Sequence, residues 1–243
     1  MTLFLTSSPT GPLDNSYTVD GVDPRNNLRT NLSSRWPDNP RCLMITAFPD
    51  DPSANDEMRA FFEDALRRSG LPLQCLDLWD RRFPLISREA LHAYPVILLG
   101  GGHVPTQHAF FEQIGLRAKL KGYNGLIIGI SAGSMNAADI VYAQPELPGE
   151  STNPGYIRFF EGLGLTRTNI LPHYQMVRNS ILDGRRLFED ITYPDSHNRQ
   201  FLILPDGSYL LSENSRETVF GEAYLLSNGM LSRICSENQS CLL

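Results

Sequence analysis

A serine stands between two glycines near the middle of the chain, directly after an apolar run, in the sequence LIIGISAGSM of residues 126–135. A serine hydroxyl is a weak nucleophile near neutral pH, so it needs a neighbouring base and a backbone that exposes its oxygen. A tight strand-to-helix turn exposes Ser131, because side chains at Gly129 and Gly133 would collide with the strand and the helix. The pattern predicts Ser131 as a nucleophile and the N–H of Ala132 as an oxyanion donor. The same five residues also fit a serine that only caps a helix.

The general base for such a serine must come from five histidines. We favour His173, because it ends the apolar run Ile-Leu-Pro-His and so falls at the carboxyl end of a predicted strand. Active sites of open parallel sheets form at that edge. His92, His108 and His197 are interpreted as surface or capping residues.

The acid that orients the histidine is predicted to be Asp206, in the sequence Leu-Pro-Asp-Gly after another strand. Pro-Asp-Gly is also an ordinary turn sequence, and Glu146 and Glu150 are further candidates for this role. An α/β-hydrolase places its acid before its histidine, and that alternative, an esterase, would use Ser131 with an acid such as Asp183 and with His197.

Three glycines follow a predicted strand in the sequence VILLGGGH of residues 96–103. The next residues do not complete the G-x-G-x-x-G pattern of a dinucleotide site. We expect a close approach of backbone to substrate, with the N–H of Gly101 or Gly102 as the second oxyanion donor. Gln107 is a candidate for a polar contact with the substrate backbone. A glycine-rich turn that binds nothing is the alternative.

The elements that would position these residues are strands alternating with amphipathic helices from residue 42 to residue 130. Helices are predicted over 53–69, with Ser53 at its start, and over 106–120. This order predicts an α/β fold with a mainly parallel sheet and helices on both faces. Hairpin signals after residue 200 predict an antiparallel C-terminal meander packed on the sheet edge. The polar stretch 7–40 is a long connection that either carries a short element or lies over the site. We expect one catalytic domain over residues 1–243.

Composition limits the possible functions. The 243 residues carry a net charge of −6 without a basic stripe, which argues against a nucleic-acid partner. No apolar run is long enough to span a bilayer, and the N-terminus lacks a signal-sequence pattern, so we expect no membrane association. The four cysteines have no metal-ligand spacing, and a reducing cytoplasm is the expected compartment.

Taken together, these motifs resemble the dipeptidase E (peptidase E) and cyanophycinase family of serine peptidases, whose fold is similar to class I glutamine amidotransferases. The resemblance rests on the three glycines of residues 100–102, the elbow of residues 129–133, Pro-His-Tyr at 172–174 and Leu-Pro-Asp-Gly at 204–207. These motifs cover residues 96–226 in the expected order.

The resemblance implies a triad of Ser131, His173 and Asp206, although the family often has Glu at the third position. It also implies amide hydrolysis through an acyl-enzyme, without a metal or organic cofactor. The candidate substrates that it implies are short peptides, Asp-X dipeptides among them, or isoaspartyl-type bonds. Acidic specificity calls for a cation, for which Arg185 and above all Arg186 are candidates. A monomer or homodimer is expected. A ligand-binding relative without turnover is a further alternative.

Overall fold

The computed structural model describes residues 1–13, 16 and 18–243. Its strands are β1 (Thr2–Thr6), β2 (Arg41–Ile45), β3 (Cys75–Trp79), β4 (Val96–Leu99), β5 (Leu126–Ile130), β6 (Ile140–Tyr142), β7 (Phe159–Glu161), β8 (Asn169–Leu171), β9 (Ile181–Leu182), β10 (Arg185–Arg186), β11 (Gln200–Ile203), β12 (Tyr209–Glu213), β13 (Arg216–Phe220), β14 (Ala223–Ser227), β15 (Met230–Cys235) and β16 (Ser240–Leu242).

Helices lie in several of the connections between these strands. They are α1 (Leu28–Ser33), α2 (Pro52–Arg68), α3 (Arg88–His92), α4 (Val104–Gln113), α5 (Leu116–Lys119), α6 (Ala132–Asn136), α7 (Tyr174–Val177) and α8 (Tyr193–Asp195), together with a 3₁₀ turn at Arg25–Asn27 and a π-helical stretch at Leu187–Thr192. Within the described ranges, no helix has both the length and the apolar character that crossing a membrane requires.

An eight-stranded sheet forms the centre, in the order β16-β13-β12-β1-β5-β4-β2-β3. The five strands from β1 to β3 in this order run parallel, and β12, β13 and β16 add antiparallel pairs beyond β1. The carboxyl ends of β1, β4 and β5 therefore meet at one edge of the sheet, where open parallel sheets bind their ligands. The predicted mainly parallel α/β sheet is confirmed.

Alternate residues of the parallel strands pack against helices on opposite faces of the sheet, as the two-residue period of a strand requires. Phe4 and Ile128 lie on one face with Phe62 of α2 and with α1. On the other face, Leu5 and Ile127 belong to a second buried cluster that includes residues of α3, α4 and α5. Because both faces are covered, the central strands are almost wholly apolar.

The predicted C-terminal meander is divided between two sheets, which corrects that expectation. β12 and β13 continue the central sheet through the antiparallel pair of β12 with β1. β14 and β15 instead pair with β11, which runs parallel to β8, in a separate four-stranded sheet. Hairpin signals specify each turn locally, but they carry no information on which sheet a hairpin joins.

The polar connection over residues 7–40 has both features that were offered as alternatives. It contains the 3₁₀ turn and α1, and residues 7–13 also line the cleft that contains Ser131. Residues 14, 15 and 17 of this connection lie outside the described residues.

Two helix predictions were wrong in detail. The predicted helix over 106–120 is interrupted, because Gly115 adopts a φ of +64° and so separates α4 from α5. At the start of α2 the cap is Asp51, whose side chain accepts a hydrogen bond from the N–H of Ala54, rather than Ser53. Pro52 takes the first helical position, where its missing N–H costs nothing.

We expect Asp51→Ala to lower the free energy of unfolding by about 1 kcal/mol, because it removes the side chain that caps α2. Urea unfolding measures this change. Ser53→Ala is the matched control, since it removes a nearby polar side chain that does not cap the helix, and its effect should stay within about 0.5 kcal/mol. Equal losses in the two variants would contradict this assignment of the cap.

Candidate active site

The backbone at Ser131 has φ 51° and ψ −112°, a conformation that residues other than glycine rarely adopt. A Cβ at Gly133 would lie 2.2 Å from the carbonyl oxygen of Leu99, and one at Gly129 would lie 2.8 Å from the side chain of Leu5. The two glycines therefore allow the turn to pack directly against β1 and β4. This is the sharp strand-to-helix turn that the sequence predicted.

His173 and Asp206 both lie next to this turn. The His173 Nε2 is 2.8 Å from the Ser131 Oγ, and its Nδ1 is 2.7 Å from the Asp206 Oδ1. A carboxylate only accepts hydrogen bonds, so Nδ1 carries the proton and Nε2 is left to accept the serine hydroxyl. The three side chains predicted from separate motifs are thus joined in one hydrogen-bonded chain.

Three further groups hold the carboxylate of Asp206. The hydroxyl of Ser7 donates to Oδ1 at 2.6 Å, while the N–H of Leu13 and the side-chain amide of Gln175 donate to Oδ2 at 3.0 and 2.5 Å. Burial raises the pKa of this carboxyl, but the hydrogen bonds and charge of His173, together with Ser7 and Leu13, outweigh burial and lower its pKa. Asp206 is therefore held as an anion.

Ser7 also contacts the histidine backbone. Its hydroxyl oxygen accepts a 2.8 Å hydrogen bond from the N–H of His173, which has a φ of +58°. Residues from the N-terminal connection also hold the turn that contains Asp206. Arg25 donates to the carbonyl of Asp206, and Asn26 donates to the carbonyl of Gly207.

The glycine loop passes beside the serine. The backbone at Gly101 lies so close to Ser131 that a Cβ added there would be 3.4 Å from the Cβ of Ser131. The loop is therefore close enough to contact a substrate group attached to the Ser131 hydroxyl. Gly102 has a φ of +147°, and a Cβ there would lie 2.7 Å from Ala47 and the Phe48 ring. Only glycine fits this position without displacing the neighbouring chain.

Gln107 does not reach the cleft, so the expected contact with substrate is wrong. Its side chain is fully buried, donating to the carbonyl of Gly100 at 2.7 Å and accepting from the amide of Asn136 at 3.0 Å. Gln107 thereby connects the glycine loop to the helix that follows Ser131, and both of its polar ends are occupied.

Arg186 also lies away from the cleft, in the short β9–β10 hairpin. It is exposed and forms an ion pair with Asp190 at 2.8 Å, and neither it nor Arg185 is among the residues that line the cleft. The expected cation for an acidic substrate is therefore not supplied by this pair.

The alternative partners are directed elsewhere. Glu150 lies 2.9 Å from the Nε2 of His103 and accepts from the N–H of Glu146, while Asp183 accepts from the N–H groups of Gly149 and Ser151. His197 is exposed on the surface. The nearest other hydroxyl in the elbow, that of Ser134, is fully buried and donates to the carbonyl of Thr6.

The serine lies in a cleft of about 640 Å³. Segment 7–13 and one side of α2 both line this cleft, and the glycine loop, the elbow and His173 complete it. The described lining residues are Ser7, Ser8, Pro9, Thr10, Gly11, Pro12, Leu13, Phe48, Ala54, Glu57, Met58, Phe61, Phe62, Gly101, Gly102, Ile130, Ser131 and His173.

The sequence reasoning missed Ser7, Gln175 and the cleft wall on α2. Ser7 and Gln175 have no local signature, because their partners lie far away in the chain. The wall did have a signal: Phe61 and Phe62 are adjacent, and adjacent helix positions cannot both face the core. Phe62 is buried and Phe61 remains 54% exposed.

A hydrogen-bonded serine and histidine in a cleft at the carboxyl edge of a parallel sheet define the class of serine hydrolases. A sequence profile of peptidase family S51 matches residues 45–219. The chain belongs to peptidase family S51 and is a serine peptidase. In the parts of the chain that the structure describes, no cluster of three His, Cys, Asp or Glu side chains could hold a metal ion.

Solved structures share the fold. A peptidase from an acI-B1 Actinobacterium is 17% identical, with a TM-score of 0.62, covering 100% of this chain and 96% of that one. A putative peptidase E protein from Listeria monocytogenes EGD-e is 16% identical, with a TM-score of 0.55, covering 96% of this chain and 98% of that one. No curated protein sequence matches the chain.

We expect Ser7→Ala to lower kcat about tenfold with little change in KM, because the variant loosens both His173 and Asp206 and removes only one small hydroxyl from the cleft wall. Steady-state kinetics on a short peptide measures the two constants. The matched control is Ser69→Ala, since Ser69 is equally buried and its hydroxyl also makes two hydrogen bonds, but far from the cleft. A similar loss of kcat in the control would assign the effect of Ser7 to general stability.

Asp206 should also contribute to stability in a pH-dependent way. Its pKa in the folded chain lies below the ordinary 3.8, so its ionised form stabilises the fold above that pH, and this contribution is lost as the pH falls through the lowered pKa. The difference in unfolding free energy between the wild type and Asp206→Asn should therefore shrink below about pH 4. Urea unfolding at pH 7, 5, 4 and 3 tests this, and a difference that stays constant would contradict it.

Proposed function

We propose that this serine peptidase hydrolyses amide bonds of short peptides through a triad of Ser131, His173 and Asp206 and an acyl-enzyme. The observation that carries the proposal is the continuous hydrogen-bonded chain from the Ser131 Oγ through His173 to Asp206. Ser131 and His173 line the cleft, while the side chain of Asp206 is only 1% exposed. A nucleophile that reaches the cleft together with a buried acid is the arrangement that serine catalysis uses.

In the proposed reaction, the Ser131 Oγ attacks the amide carbonyl carbon and its proton passes to the His173 Nε2. The tetrahedral intermediate then collapses, the C–N bond breaks, and the imidazolium gives its proton to the departing amine. Water, deprotonated by the same histidine, then attacks the acyl ester. The ester C–O bond breaks, the imidazolium returns the proton to the Ser131 Oγ, and the acid product is released. Asp206 stays ionised throughout and stabilises the imidazolium.

Two sets of backbone N–H groups are the proposed oxyanion donors. Ala132 begins α6, and the first N–H groups of a helix have no partner within the helix. Gly101 and Gly102 pass beside Ser131 on the other side. Loss of one such donor typically costs 10²- to 10³-fold in turnover, so the distance between the loop and the elbow matters.

The dimensions of the cleft support short peptides as substrates. A volume of about 640 Å³ lies within the range of pockets that enclose small ligands, which run from about 300 to 1,000 Å³. Preference for an acidic first residue, which the resemblance implied, has less support, because none of the described lining residues is Arg or Lys.

A fluorophosphonate probe should label the wild type, and Ser131→Ala should abolish labelling and lower peptide hydrolysis by at least about 10⁴-fold. His173→Ala should slow labelling by a similar factor, because the serine then lacks its base. His197→Ala is the matched control, since an α/β-hydrolase mechanism would require His197 and the proposed triad does not. Labelling that survives in Ser131→Ala, or that is lost in His197→Ala, would overturn the proposed triad.

A further inference from the structure

The side of α2 that faces the serine is a continuous stripe. Its residues recur at intervals of three and four: Ala54, Glu57, Met58, Phe61 and Phe62. This spacing places them on one side of a helix. Phe62 packs into the interior and is only 9% exposed. Phe61, at the outer edge of the stripe, is 54% exposed and faces the cleft.

Other apolar side chains extend the wall beyond the helix. Phe48, next to the glycine loop, is 36% exposed, and Leu13, in segment 7–13, is 55% exposed. Ile130 completes the floor beside the nucleophile. Exposed apolar groups that converge on a concave surface gain stability when a ligand removes them from water. Here the ligand that fits them is an apolar side chain.

The charge of the cleft also favours an apolar substrate over an acidic one. Apart from the imidazole of His173, the one charged side chain among the described lining residues is Glu57. The described ion pairs give Glu57 no Arg or Lys partner. A substrate carboxylate bound in this cleft would lose water without gaining a cation, and it would approach a like charge.

We propose that the cleft selects short peptides with a bulky apolar residue beside the scissile amide, and that Phe61 sets this preference while Glu57 disfavours acidic residues. This inference rests on the proposed function, because it assumes hydrolysis at Ser131. It differs from the acidic preference that the resemblance implied.

Two series of dipeptides test the preference. In one series the first residue varies among Phe, Leu, Ala and Asp with Ala second, and in the other the second residue varies with Ala first. In at least one series, kcat/KM should be at least about tenfold higher for Phe or Leu than for Asp and Ala, as apolar pockets discriminate by about 10- to 200-fold. The series that responds identifies the side of the amide that the wall contacts.

Two variants assign the effect to residues. Phe61→Ala should lower kcat/KM for the favoured apolar peptide about tenfold, and by a larger factor than it lowers kcat/KM for Ala-Ala. Leu85→Ala is the matched control, because Leu85 is an apolar side chain that is 71% exposed and lies outside the cleft. Glu57→Lys should raise the relative rate on the Asp peptide, and more so at low salt, because an exposed charge is screened.

The outcomes separate the two proposals. Ser131-dependent hydrolysis that is fastest on the Asp peptide, or that Phe61→Ala leaves unchanged, would overturn the apolar preference and keep the triad. Hydrolysis of no dipeptide, with no fluorophosphonate labelling of Ser131, would overturn the proposed function and the preference with it. A preference for Phe or Leu that Phe61→Ala reduces and Leu85→Ala does not would support the inference.

Discussion

The left-handed backbone at Ser131 is the constraint on which the rest of the site depends. A non-glycine residue in such a conformation costs about 1–3 kcal/mol and persists only when its surroundings hold it. Thr6, the last residue of β1, makes several of the hydrogen bonds that stabilise this conformation of Ser131. Its carbonyl accepts from the N–H of Ser131 and from the hydroxyl of Ser134, and its own hydroxyl donates to the carbonyl of Gly129. The end of β1 therefore fixes the turn from both sides.

The next residue extends the same support to the other side of the site. Ser7 bonds the backbone of His173, which also has a positive φ, and the carboxylate of Asp206. Two consecutive residues at the end of one central strand thus hold the elbow, the histidine and the acid. The carboxylate of Asp206 is thus placed at the histidine by hydrogen bonds from several separate segments of the chain.

The parts of this arrangement that could be predicted from sequence are those with a local cause. The elbow depends on the two glycines that flank Ser131, and the strand before it is an unbroken apolar run. Both can therefore be predicted from the ten residues 126–135 alone. Ser7 could not be found in this way, because its partners lie 166 and 199 positions further along the chain. Gln107 and Arg186 were assigned to substrate from their position near motifs, whereas burial directs one inward and an ion pair with Asp190 keeps the other at the surface.

The place of β1 in the sheet has a consequence for how the chain reaches its native state. β1 precedes both of its partners in the chain: it pairs with β5 on one side and with β12 on the other, more than 120 and 200 residues later. Pairings between such distant segments form slowly and leave strand edges open while the chain is incomplete. During synthesis, both edges of β1 therefore stay unpaired until β5 and β12 have been made, and Ser131 is made before His173 and Asp206. The hydrogen-bonded connection from Ser131 through His173 to Asp206 can form only after all three segments have been made.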